Sequence, residues 1–389
     1  MVGQWLRGRG PRLSLLIVAA LFAVGCQTLG FYGQAVSGQL GLLNERRPVA
    51  DLLAELDTAP EPQAAHLRQR LLVSQQVLEY AEQELGIAVG ERYRTYVALK
   101  TPNVLWNVFA APSLALEPRR WCYPFAGCAP YRGYFDESDA RSYAARLRAR
   151  GDDAYVGGVA AYSTLGWFAD PLLSSFIDWP DADLAQLLLH ELAHSKVWVK
   201  GDVGFNEAFA TFVGRTGMVR WLAATGRQAG LAEYEARRGA WRSMLALLQE
   251  TRAALQVVYG WARPEADRLA GKALVLALAR SCYRQHIDRY GGGHYDVVMR
   301  DLNNAYLVSL ATYQDQVPAF AALFAGENES WEKFFAAATQ LAELDPADRA
   351  AQLQRLAQYQ QTGQGNDDGA DEVQCEALAS HGLDGEASG

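Results

Sequence analysis

Apolar positions recur with helical spacing over most of the chain, and a different pattern interrupts them near residue 100. Apolar residues follow the 3.6-residue period at Val49 and Leu52, and again across 67–85, which predicts helix over residues 34–98. The helical period is strongest after Asp181 and continues to about residue 360. The helices predicted beyond residue 136 cover 137–150, 181–198, 205–225, 229–257, 264–290, 300–323 and 329–360.

The interrupting segment is rich in proline and β-forming residues. Prolines occur at 102, 112, 118, 124 and 130, with Val, Trp, Phe and Tyr between them, which predicts short strands and turns. Residues 154–167 (AYVGGVAAYSTLGW) indicate a further β segment with glycine interruptions. We therefore predict a mainly α fold with a small β-sheet at about 96–168.

Composition excludes two classes of protein. Half of the 389 residues are hydrophobic, so the chain can bury a large core and is neither disordered nor fibrous. The formal net charge is −8 and no long basic run occurs, which argues against binding nucleic acid, since phosphate contacts need clustered cations.

The first 25 residues are typical of an export signal. Three arginines within the first twelve residues precede an apolar run, Leu13–Val24, that is too short to span a bilayer. The run ends in Ala23-Val24-Gly25-Cys26, which resembles a bacterial lipobox and implies lipidation of Cys26. By resemblance to lipoprotein sorting signals, Gln27 in place of Asp then favours the outer membrane, with the protein facing the periplasm. The alternative is a plain signal peptide with an incidental cysteine.

The remaining chain divides into a body and a tail. Residues 26–360 are predicted to form one domain, and 361–389 are acidic without Lys or Arg, which predicts a solvated tail. In an oxidising compartment the four further cysteines suggest bridges, with Cys122 close to Cys128 and with Cys282 able to join Cys375. Four buried free thiols are the alternative.

The segment His190-Glu191-Leu192-Ala193-His194 contains an HExxH motif in the middle of a predicted helix. Four residues of helix turn about 400°, so His190 and His194 lie on one face, one turn apart. Two imidazoles in this arrangement can bind one Zn²⁺ and leave room for a third protein ligand and a water. Glu191 is offset by about 100° and can act on that water as general base.

Thirteen residues after His194, the segment Asn206-Glu207-Ala208-Phe209-Ala210 resembles the NExxA element of gluzincin metallopeptidases. That resemblance implies that Glu207 is the third zinc ligand, on a second helix that runs antiparallel to the first. Gly201 and Gly204 supply the turn between the helices. Asp202 remains the alternative ligand.

Longer segments are similar to the bacterial family of predicted aminopeptidases, whose members are typically assigned as lipoproteins. The similarity lies in 34–53, 161–176, 188–214 and 302–324 and covers nearly all of 26–340. It implies a gluzincin-like fold and zinc peptidase activity, with His190, His194 and Glu207 as ligands and Glu191 as base. The GxMEN element, with which larger aminopeptidases of this clan bind a free α-amine, is absent.

Three further expectations concern the surroundings of the site. Tyr162, on the β segment before the motif helix, is a candidate donor to the oxyanion. Asp170, before Pro171, caps a turn or binds a substrate amine. Four tryptophans fall in predicted helices, which favours a role in the core: Trp198, Trp221, Trp241 and Trp331.

The sequence thus predicts a lipid-anchored zinc peptidase acting on peptides, preferentially as an aminopeptidase. A zinc endopeptidase is one alternative. A non-catalytic lipoprotein that uses a peptidase-like fold for binding or assembly is the other.

Overall fold

The computed structural model describes residues 33–34, 37–59, 61–123, 127–161, 169–310 and 316–363. Helices dominate, and the prediction of a mainly helical fold with a small amount of sheet is confirmed. A first helical stretch covers residues 37–44. The helices that follow are α1 Val49–Asp57, α2 Pro62–Gln83, α3 Glu137–Arg148, α4 Asp181–Ala193, α5 Val203–Ala224, α6 Ala229–Tyr259, α7 Glu265–Gln285, α8 Asp296–Arg300, α9 Asn304–Ser309, α10 Val317–Gly326, α11 Trp331–Glu343 and α12 Pro346–Gly363, with a 3₁₀ turn at Ile287–Tyr290.

The described strands form three small sheets. They are β1 Arg47–Pro48, β2 Thr95–Val97, β3 Leu105–Pro112, β4 Trp121–Tyr123, β5 Gly127–Ala129, β6 Arg132–Tyr134, β7 Asp152–Val159 and β8 Leu172–Leu173. Their orders are β1-β2-β8, β6-β3-β7 and β4-β5. Two of these strands lie outside the predicted 96–168 region, because β1 and β8 flank β2 through non-local pairing that local sequence does not reveal.

The longest sheet is organised around β3. This strand pairs antiparallel with β7 from Leu105↔Val159 to Pro112↔Asp152, and β6 pairs with its other edge. One face of β3 is buried against α3, where Trp106 and Val108 pack in one cluster with Ala140 and Ala144. Small residues on α3 allow this close packing of helix on sheet.

Helices α4 and α5 lie within the largest hydrophobic cluster. Pro180 precedes α4 and Asp181 stands in its first turn, which suits the positive end of the helix dipole. Leu184, Leu188 and Leu192 recur at i, i+4 and are fully buried. The helix that carries HExxH is therefore fixed by its apolar face in the protein core.

Several helices end earlier than predicted. The helix predicted over 181–198 ends at Ala193, with His194 as its C-cap, so the motif lies at the end of the helix rather than in its middle. The helix predicted over 329–360 breaks after Glu343 and restarts at Pro346, since a proline interior to a helix lacks the required N–H. The helix predicted over 300–323 is found as two separate helices, α9 and α10. Residues 34–98, which were predicted to be helical, contain strand β2 near their end.

One predicted disulfide is confirmed. Cys122 and Cys128 face each other across the β4–β5 pair and are bonded, which excludes four free thiols. Cys282 is also disulfide-bonded, whereas Cys26 and Cys375 lie outside the described residues. Among the described helices, none combines the length and apolarity needed to cross a bilayer.

Candidate metal centre

The end of α4 presents both histidines of the HExxH motif toward α5. Their ring centroids are 4.9 Å apart and the ring planes are nearly perpendicular. His194 is buried and His190 is partly buried. The one-turn spacing therefore brings the two imidazoles to one place, as the helical geometry requires.

The second turn of α5 brings Glu207 to the same place. Its Oε2 lies 3.4 Å from Nε2 of His190, and its Oε1 lies 3.7 Å from Nε2 of His194. Ligand atoms of these three residues all lie within 4.8 Å of one another. The two histidines predicted from the HExxH motif and the glutamate implied by the gluzincin resemblance therefore lie in one cluster.

The loop between α4 and α5 is held by side chains of the first turn of α5. Asn206, which is almost fully buried, accepts a hydrogen bond from the Val199 backbone N–H and donates one to the Val199 carbonyl, both 2.8 Å. Asn206 therefore fixes the turn that precedes Glu207, a role that the sequence did not suggest.

Asp202, the alternative ligand, has a different role. It caps α5 by accepting a hydrogen bond from Phe205 N–H at 3.0 Å. Its other oxygen accepts a 2.9 Å hydrogen bond from Nε of Arg349, a buried residue of α12. Both carboxylate oxygens of Asp202 are thus used in structural contacts, and Asp202 is not in the cluster with the histidines.

The spacing of the three donors fits a tetrahedral metal ion. Two ligands that each lie about 2.1 Å from zinc at the tetrahedral angle are about 3.4 Å apart. The Glu207–His190 and Glu207–His194 separations of 3.4 and 3.7 Å are close to that value and longer than a normal hydrogen bond. Two imidazoles and one carboxylate are also a common zinc donor set.

The electrostatics of the cluster keep His194 neutral. Burial, followed by the neighbouring His190, lowers the pKa of His194 to about 4, although Glu207 acts in the opposite direction. Burial would raise the pKa of the Glu207 carboxyl, but the contact with His190 and the charges of both histidines lower it overall. At neutral pH the cluster therefore offers a neutral imidazole and a carboxylate, the protonation states that a metal needs.

The charge of Glu191 acts on a buried tyrosine with an unusual backbone conformation. Tyr93 has a left-handed φ of 60°, and its backbone N–H donates to the Asp170 carbonyl at 2.7 Å. Burial, then the charges of Glu191 and Asp170, raise the pKa of Tyr93 well above its ordinary value. The carboxylates of Glu191 and Asp170 are therefore within electrostatic range of one hydroxyl. Asp170 itself is buried.

Two aromatic residues near the cluster were not predicted as part of the site. Tyr131, in the connection between β5 and β6, has a pKa raised by burial and then by the charge of Glu207, so its hydroxyl lies within electrostatic range of that carboxylate. Trp198 is 44% exposed and follows the end of α4, and its ring makes an edge-to-face contact with His194 at 5.4 Å. The prediction that Trp198 belongs to the core is therefore wrong, because α4 ends before it.

Tyr162, the predicted oxyanion donor, lies outside the described residues. Of the other tryptophans, Trp221 is fully buried and Trp331 is nearly so, as predicted for core residues. Trp241 is only partly buried and lines a cavity beside Glu207.

A sequence model of a family described as "Putative aminopeptidase" matches residues 30–353. No curated protein and no solved structure matches the chain.

Proposed function

Because the chain belongs to the putative aminopeptidase family, we propose that it is a zinc-dependent peptidase that removes residues from the amino end of peptides. The observation that supports zinc dependence is the cluster of His190, His194 and Glu207, whose donor atoms all lie within 4.8 Å. Family membership supports the peptidase activity and a peptide substrate.

The three clustered residues would hold the ion, and Glu191 would move the proton. Zinc bound there would lower the pKa of a coordinated water to near neutrality and polarise the peptide carbonyl. Glu191 is adjacent to His190 on the last turn of α4, and its carboxylate would accept the proton of the attacking water and return it to the leaving amine. Asn206 and Asp202 hold the start of α5, so that Glu207 remains beside the imidazoles.

Metal analysis combined with two matched peptides tests this proposal. We expect about one zinc per purified chain and hydrolysis of a peptide with a free α-amine, with slower cleavage of its N-acetylated counterpart. A chelator should abolish the activity, and added zinc should restore it.

The two alternatives give different results in the same experiment. Rapid cleavage of the acetylated peptide alone would favour a zinc endopeptidase. A chain that binds zinc but turns over neither peptide would favour a non-catalytic lipoprotein used for binding or assembly.

We also propose that the protein is anchored by a lipid on Cys26 and faces the periplasm from the outer membrane. The support is the apolar run that ends at this cysteine, and Gln27 after it. The bonded pair Cys122–Cys128 is consistent with an oxidising compartment.

A further inference from the structure

A cavity of about 200 Å³ adjoins the proposed metal centre. Glu207 forms part of its wall, and Thr211 lies one helical turn further along α5 on the same side. The rest of the described wall consists of Ala208, Trp241, Leu245, Leu310 and Val317. We refer to this cavity as the Glu207 pocket, and it shares Glu207 with the proposed metal centre.

The described lining of the Glu207 pocket is apolar apart from Glu207 and one threonine. Trp241 and Leu245 come from α6, and Leu310 and Val317 follow α9 and begin α10. Apart from Glu207, which faces the histidines, no charged side chain lines the described wall. A charged side chain placed there would lose its water without gaining a partner.

The volume of the Glu207 pocket matches that of one side chain. A 150 Å³ apolar cavity is large enough to bind benzene, so about 200 Å³ accommodates an aromatic ring or a branched aliphatic side chain. A cavity for a whole small-molecule ligand is larger, about 300–1,000 Å³. A single residue side chain of a longer substrate therefore matches this volume.

We propose that the Glu207 pocket binds an apolar side chain of the substrate residue next to the scissile bond, so that the substrates are peptides with an aromatic or branched aliphatic residue there. This inference rests on the proposed function, because only peptide hydrolysis at the metal centre gives the pocket a role in the reaction. It also goes beyond the proposed function, since membership of the putative aminopeptidase family does not specify the side chain of the substrate residue next to the scissile bond.

A binding experiment tests the pocket without requiring catalysis or metal. In saturation-transfer NMR with the purified full chain, we expect signal transfer to 3-phenylpropionamide and little to propionamide. Leu245→Trp fills the pocket from α6 and should remove most of the transfer. Leu274→Trp is the matched control, since Leu274 is 48% exposed on α7 and does not line the pocket; it should leave the transfer unchanged.

A second variant replaces Leu245→Trp if that variant misfolds. If Leu245→Trp does not fold, as judged by its far-UV circular dichroism spectrum, Thr211→Leu narrows the pocket from the opposite helix. Absence of transfer from the wild-type chain, or equal transfer in the pocket variants and the control, would overturn the proposal.

Kinetics then separate the pocket from the proposed function. Among peptides that differ only in one residue beside the scissile bond, kcat/KM should be about 10²-fold higher for Phe or Leu than for Asp or Lys, since apolar pockets discriminate on this scale. Leu245→Trp should lower the Phe-to-Ala ratio of kcat/KM at least tenfold.

The outcomes distinguish the two claims. If no peptide is cleaved but probe binding depends on Leu245, the proposed function fails and the apolar pocket stands. If peptides are cleaved with equal kcat/KM for apolar and charged residues, the pocket proposal fails and the peptidase remains.

Discussion

The two glutamates of the site differ in what they contact. Glu207 contacts both imidazoles, while Glu191 follows His190 on α4 and exerts its charge on Tyr93. If Glu207 binds zinc, Glu207→Ala leaves two histidines, too few for a tight tetrahedral site, so bound metal and activity should be lost together. Glu191→Gln should retain about one zinc while losing about 10²–10⁴-fold in kcat. Zinc content and turnover are measured on the same samples.

Unchanged far-UV spectra are the control for both variants, because both positions lie in the central helix pair. Full zinc retention in Glu207→Ala would contradict the ligand assignment. Full activity in Glu191→Gln would contradict the proposed mechanism.

The lowered pKa of His194 predicts that acid destabilises the metal-free protein. In the unfolded chain this imidazole takes up a proton near pH 6.5, but in the fold it remains neutral down to about pH 4. The unfolded state therefore binds more protons between these values, and stability falls as the pH falls. Between pH 7 and 5 we expect the free energy of unfolding to lose about 2 kcal/mol from this residue.

Denaturant unfolding of the metal-free chain at pH 7 and pH 5 measures this effect. The window lies above the range in which Glu207, with its lowered pKa, takes up a proton. His194→Asn lacks the titrating group and should show a correspondingly smaller pH dependence. Equal pH dependence in the two proteins would contradict the prediction.

At the level of residues, the sequence was sufficient where the geometry is local. The spacing of His190 and His194 brings two imidazoles together in any helix, whatever surrounds it. Glu207 needed the additional resemblance to gluzincins, because its contact depends on how the next helix returns. Tyr131 and Trp241 are brought near the site by tertiary packing across distant segments, and no local pattern marks them.

At the level of elements, the site depends on the close approach of α4 and α5. A Cβ atom on Gly214 would lie 2.8 Å from the Gln186 carbonyl oxygen and 3.0 Å from Cβ of His190. Both neighbours are fixed, one being backbone and the other the base of a proposed ligand. Gly214 therefore sets the distance between the helix that carries the histidines and the helix that carries Glu207.

Gly214→Ala should destabilise the protein and weaken zinc binding. Overpacking of this kind costs about 1–3 kcal/mol, and separation of the helices moves Glu207 away from His190. Gly239→Ala is the matched control, since nothing lies within 4 Å of a Cβ there and the position is inside α6. That change should stabilise the helix by about 0.5–1 kcal/mol. Unfolding and zinc affinity are measured for both, and equal behaviour would contradict the role of Gly214.

The element boundaries show where sequence patterns were insufficient. The apolar period continues past residue 193, but the chain leaves the helix at His194. The loop there is stabilised by Asn206 binding back to Val199, an interaction across the turn that periodicity does not reveal. By contrast, α3 was predicted at 137–150 and is found at Glu137–Arg148, because Asp136 caps its start and its charges suit both helix ends.

At the level of the whole molecule, the anchor makes a separate prediction. If Cys26 carries the lipid, Cys26→Ser should abolish incorporation of labelled fatty acid in cells and release the exported protein from the membrane fraction. Peptidase activity per chain should be unchanged, because the substitution leaves the clustered residues His190, His194 and Glu207 in place. Undiminished labelling of the Cys26→Ser variant would contradict the anchor.

The contact between Arg349 and Asp202 has a consequence for the order of events during synthesis. Arg349 holds the residue that caps the Glu207 helix, and it follows that residue by 147 positions. When the chain emerges from a ribosome or a translocation channel, both histidines and Glu207 therefore appear long before Arg349 can bind Asp202. We expect the nascent protein to be inactive until α12 has emerged, because Asp202 has no contact with Arg349 before then.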